Sequence, residues 1–115
     1  ITKENFDKIL RNMIDETIKA HTLTKSAHKE LMSMSCLDNE VFAIFNCNEE
    51  AATKKLVNNF PNTANIEEKV HLLINMVDNL CHEIVYHKHE NYDYAFMREQ
   101  TIKLIEYMME DVYEN

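Results

Sequence analysis

Residues 65–90 read NIEEKVHLLINMVDNLCHEIVYHKHE, and this stretch decides the fold. Ile66, Val70, Leu73, Ile74, Val77, Leu80, Cys81 and Ile84 recur at three- and four-residue steps. That period puts them down one side of an α-helix. Asn65 and Glu68 stand at the N-cap and N3 spacing of a capping box. The spacing predicts a long amphipathic helix over about 66–89.

Outward from it, the same period recurs. Phe6, Ile9, Leu10, Met13, Ile14 and Ile18 predict a helix over about 3–21, with Thr2 as its cap. Ala27, Leu31 and Met34 predict a weaker one over about 25–35. Val41-Phe42-Ala43-Ile44-Phe45, after the cap candidate Asp38, is apolar all round and predicts a short, buried central helix over about 39–46. Asn48 then caps a further helix over about 49–60, lined by Ala52, Leu56 and Phe60 and ended with the help of Pro61. On the C-terminal side, Met97, Thr101, Leu104, Ile105, Met108 and Val112 predict a helix over about 92–113, with Asn91 and Asp93 as cap candidates. About four residues separate it from the helix before, so the two are expected to form an antiparallel hairpin. The expected fold is all-α: one compact domain over 1–115, a bundle of five to six helices.

The chain has no glycine in 115 residues, where about eight are usual. Glycine supplies positive φ and close backbone approach. The phosphate-binding loop, the dinucleotide fingerprint, the nucleophile elbow and the calcium loop are therefore excluded. A short apolar helix wrapped by amphipathic ones is similar in general plan to Bcl-2-like and death-fold domains. The glycine- and tryptophan-bearing groove motif of the cellular Bcl-2 proteins has no counterpart in a chain without either residue.

The net charge is −8, and it is uneven. Residues 1–57 carry eight basic and nine acidic side chains, and residues 58–115 carry four and eleven. A nucleic-acid surface needs the opposite sign, so nucleic acid is excluded and a basic partner is favoured. No apolar run reaches the 18 residues of a membrane span. Cys36, Cys47 and Cys81 are an odd set without a CxxC pair, and no Asn-x-Ser/Thr sequon occurs. Both features point to reduced thiols in an intracellular protein, cytoplasmic or nuclear.

Chemistry-bearing residues crowd 81–90. His82 and His87 are five apart and miss the i, i+4 spacing of a zincin; Glu83 with His87, and His82 with His89, share faces. These offer two or three ligands where a structural zinc site takes four, so no metal is expected. Glu68 and His71 form a single ExxH where a di-iron bundle needs two, and His21 and His28 lie in a polar stretch. No cysteine or serine has a triad context, so no catalytic residue and no cofactor are expected.

What remains suits a binding surface. Tyr86, His87, His89, Tyr92, Tyr94 and Phe96 gather at the turn between the last two helices, and tyrosine is a common interface anchor. Methionine adapts to irregular partners. Met32 and Met109 lie off the main apolar stripes. These eight residues are the expected contact set of a non-enzymatic interaction module that docks a helix or peptide. Histidine charging should weaken a basic partner's binding below about pH 6. The alternatives are a bundle that binds a small ligand or metal, and a secreted cytokine-like four-helix bundle.

Overall fold

A computed structural model describes residues 2–23, 39–86 and 89–113, and the backbone alone for 41–49. Within them the chain forms four helices and no strand: α1 (Lys3–Leu23), α2 (Asn39–Val57), α3 (Ile66–Tyr86) and α4 (Tyr94–Met108). The helix expected over 25–35 lies outside the described residues, and Met32 with it.

The helix ends are set by short polar side chains. The Thr2 hydroxyl accepts from the Asn5 amide at 3.2 Å, and Asp93 Oδ1 accepts from the Phe96 amide at 3.0 Å, each covering an amide that the first turn leaves open. Asn65 has φ 58, the left-handed region that asparagine tolerates better than other non-glycine residues. A capping box would hold Asn65 extended; instead it turns the chain into α3, and its carbonyl accepts from Lys69 N–H at 3.0 Å.

Two expected helices are one. Residues 39–46 and 49–60 were expected to be split at Asn48, yet α2 runs unbroken over Asn39–Val57. No glycine or proline interrupts that span, and asparagine inside a helix costs only about 0.7 kcal/mol. So there is no separate short central helix, and the likeness in plan to Bcl-2-like and death-fold domains loses the element that carried it. The burial expected for Phe42 and Phe45 concerns side chains outside the described residues. The helix stops at Val57, four residues before Pro61, in a turn where Asn59 and Phe60 N–H donate to the Leu56 and Val57 carbonyls.

α3 is the central element and packs against each of the other three helices. Its Val70, Leu73, Val77, Leu80 and Cys81 form one core with Phe6, Leu10 and Ile14 of α1 and with Ile102, Ile105, Met109 and Val112 at α4. Phe6 is held between Phe60 and Tyr113, with ring centroids 6.1 and 5.3 Å away. Each fully buried large side chain contributes about 1.5–3 kcal/mol. Ile9, expected in the α1 stripe, is instead half exposed beside the fully buried Leu10.

The buried arc of α4 is rolled by less than one residue from the expected stripe. Leu104 faces out, while Ile102 and Met109 face in. Met109, expected at the surface as a partner contact, is completely buried; this corrects its placement. The reason is compositional. Apolar residues lie nearly all round this helix, so periodicity leaves its roll open. Polar ties to α1 close it: Arg98 Nη2 reaches Asp15 Oδ1 at 2.9 Å, and Glu99 takes both Nη1 and Nη2 of Arg11 at 2.8 and 3.1 Å.

Candidate functional site

Two places concentrate groups that structure alone does not require. The first is the outward side of α4. At 3.6 residues per turn, Phe96 and Tyr107 fall almost diametrically opposite the arc of Ile102, Ile105 and Met109, with Leu104 beside them. They are 59%, 77% and 58% exposed. A soluble helix ordinarily puts polar residues there. In the turn before α4, exposed Tyr92 stacks on His89 with ring centroids 4.4 Å apart and planes 21° from parallel.

The expected contact residues separate by role. Tyr92, Phe96 and His89 are exposed, as a contact surface requires. Tyr94 is a strut: its hydroxyl donates to the His89 carbonyl at 2.9 Å and accepts from the His89 amide at 3.0 Å, closing the turn. Tyr86 is half-buried with its ring 5.7 Å from that of His82, so it faces the second place. Burial and the nearby Asp78 carboxylate raise its phenol above the ordinary range. His87 and Met32 lie outside the described residues.

The second place is His21, Asp78 and His82. Asp78 and His82 are one helical turn apart on α3, and His21 comes from the last turn of α1. Their donor atoms converge. His21 Nε2 lies 3.0 Å from His82 Nε2 and 3.3 Å from Asp78 Oδ1, and His82 Nε2 lies 3.5 Å from the same oxygen. His21 Nδ1 is 2.8 Å from the Thr17 carbonyl, an acceptor only, so Nδ1 carries the proton and Nε2 presents its lone pair to the cluster. His82, expected in a solvated helix end, is buried.

Other chemically suggestive groups are occupied. His71 faces a hollow of about 450 Å³ lined with Glu50, Thr53, Glu67, Glu68 and Leu72. The Asn75 amide donates to its Nε2 at 3.0 Å, and its Nδ1 meets the Thr53 hydroxyl at 3.4 Å, so both ring nitrogens are engaged. Cys81 is a buried free thiol, pushed up to about 12 by burial and then by the Asp78 carboxylate, and it donates weakly to the Ile14 carbonyl. A thiol held protonated is no nucleophile.

The histidine spacings within 81–90 do not contain the triad, whose other two members lie at 21 and 78. The legible signal was Asp78 and His82 at i, i+4. The pairing with His21, 61 residues away, arises only from the packing of α1 on α3. Compared with protein-family models, with curated proteins and with solved structures, the chain finds no match in any of the three. Among the described residues no helix is long and apolar enough to cross a membrane.

Proposed function

We propose that this chain is a non-enzymatic protein-interaction module of the adaptor kind, which docks a partner helix or peptide on the outward side of α4. The observation that carries the reading is the exposed stripe of Phe96, Leu104 and Tyr107 on a helix whose opposite side fills the core. Apolar anchors flanked by polar residues match the make-up of interface centres, where aromatic side chains supply most of the binding energy. The acidic excess of residues 58–115 steers a basic partner toward this half of the molecule. α3 and α4 act together as a hairpin, with Tyr94 bracing its turn and Tyr92 extending the contact surface. A buried, protonated Cys81 suits a reducing intracellular setting.

The test is affinity capture with the intact chain and with a Phe96→Ser/Tyr107→Ser double variant. Both residues are exposed, so the variant keeps its helicity by circular dichroism. Proteins held by the parent chain and released by the variant support the reading. Identical captured sets from the two chains contradict it.

A further inference from the structure

We propose that His21, Asp78 and His82 form a zinc site with three protein ligands and one open position. Three observations carry it, none of them shared with the α4 surface.

The first is the shape of the donor triangle, whose sides are 3.0, 3.3 and 3.5 Å. A tetrahedral zinc with bonds of ~2.0–2.1 Å has ligand–ligand edges of about 3.3 Å. An octahedral ion at the same bond length has edges of about 2.9 Å. The triangle fits one face of the tetrahedron. Two imidazole nitrogens and a carboxylate oxygen are also a donor set zinc accepts, and the single negative charge suits a dication.

The second is proton accounting. His21 commits its Nδ1 proton to the Thr17 carbonyl, so its Nε2 faces the cluster as an acceptor. His82 Nε2–H can donate toward His21 Nε2 or toward Asp78 Oδ1, not to both. With neutral rings, at least one contact of the triangle then sets lone pair against lone pair at 3.0–3.5 Å. With the His82 proton on Nδ1, its Nε2 is a third acceptor, and a dication between them satisfies all three at once. The Thr17 carbonyl is the outer hydrogen-bond partner that metal-binding histidines usually have, fixing ring and tautomer.

The third is the enclosure. The side chains of His21 and His82 are 14% and 10% exposed, whereas that of Asp78 is 42% exposed. The imidazoles are held by packing, with the Tyr86 ring beside His82, and the approach is from the Asp78 side. A fourth ligand, water or a donor atom of a bound molecule, enters there. The negative C-terminal end of α1, where His21 sits, adds attraction for a cation.

The experiment is calorimetric titration of the full metal-stripped chain with zinc chloride, followed by cobalt(II) loading read by visible absorption. One zinc per chain is expected, with Kd at or below about 1 μM, and cobalt is expected to give the intense bands of tetrahedral coordination. Asp78→Ala removes a ligand outside the buried core, its side chain 42% exposed, so that variant folds. Its affinity should fall at least about tenfold, the least that loss of even an outer partner costs. His21→Ala should do the same, and Glu4→Ala, at an exposed carboxylate at the other end of α1, should change nothing. The proposal is overturned by absence of saturable binding up to about 100 μM free zinc, or by affinity that survives both Asp78→Ala and His21→Ala.

Discussion

Arg11 on α1 grips Glu99 on α4 with two parallel hydrogen bonds, Nη1 to Oε1 at 2.8 Å and Nη2 to Oε2 at 3.1 Å, while its Nε holds Asp7 at 2.8 Å. One guanidinium thus joins two carboxylates and ties α1 to the roll of α4. Both carboxyls are held below their ordinary range: Glu99 chiefly by its bonds to Arg11, Asp7 by Glu106 first and then Arg11. Lysine keeps the charge but has no planar fork. Arg11→Lys should therefore lower the melting temperature at low ionic strength. The deficit should shrink in ~1 M salt, where the screening length falls to about 3 Å. Thermal melts of both chains at two salt concentrations check this; a deficit unchanged by salt would mean Arg11 acts through packing.

The roll of α4 predicts opposite outcomes at adjacent positions. Ile105 is fully buried and Leu104 is 58% exposed. Ile105→Ala should cost about 2–5 kcal/mol, and Leu104→Ala less than about 0.5 kcal/mol. Urea unfolding of the two variants measures both. A larger loss for Leu104→Ala would put α4 in the roll its sequence period suggests, and the exposed stripe would be core.

Glu106 and Asp7 face each other between α4 and α1. Burial, and then hydrogen bonding to Asp7, raises the Glu106 carboxyl to about 7 from its ordinary 4.5. Between those values the folded chain holds a proton that the unfolded chain has released. Stability from this group is therefore full below about pH 4.5 and is lost as pH rises through 7. Asp7 acts the opposite way: its contribution is present above its ordinary 3.8 and is lost as pH falls through its lowered folded value. Glu106→Gln keeps a donor toward Asp7 and removes the charge. It should abolish a decline of about 1–2 kcal/mol between pH 5 and 8, allowing for solvent screening. Urea midpoints at both pH values test this; the same decline in both chains would rule out Glu106 as its source.

Much of the fold was legible because the apolar period is helical wherever it is strong. Phe6, Leu10 and Ile14, and Val70, Leu73, Val77 and Leu80, are core where periodicity puts them. The expected break at Asn48 failed because a residue that caps helices is also tolerated within one. Met109 and Leu104 exchanged places because a helix apolar on several sides needs tertiary ties, here Arg98–Asp15 and Arg11–Glu99, to choose its inner face. Of the candidate contact surface, exposed Tyr92 and Phe96 were readable from the turn composition, whereas Tyr107 stood outside every stripe that was followed. The His21–Asp78–His82 cluster joins two helices distant in sequence, and spacing within one helix reveals only half of it.

Docking on the outward side of α4 is tested most directly by a photo-crosslinking residue placed at Leu104, compared with one at Lys8 on the solvent side of α1. Both positions are exposed and both variants should fold. With a partner captured by the parent chain, irradiation should give a discrete covalent adduct from position 104 and none from position 8. An adduct from position 8 alone, or equal yields from both, would contradict the assignment of α4 as the docking surface.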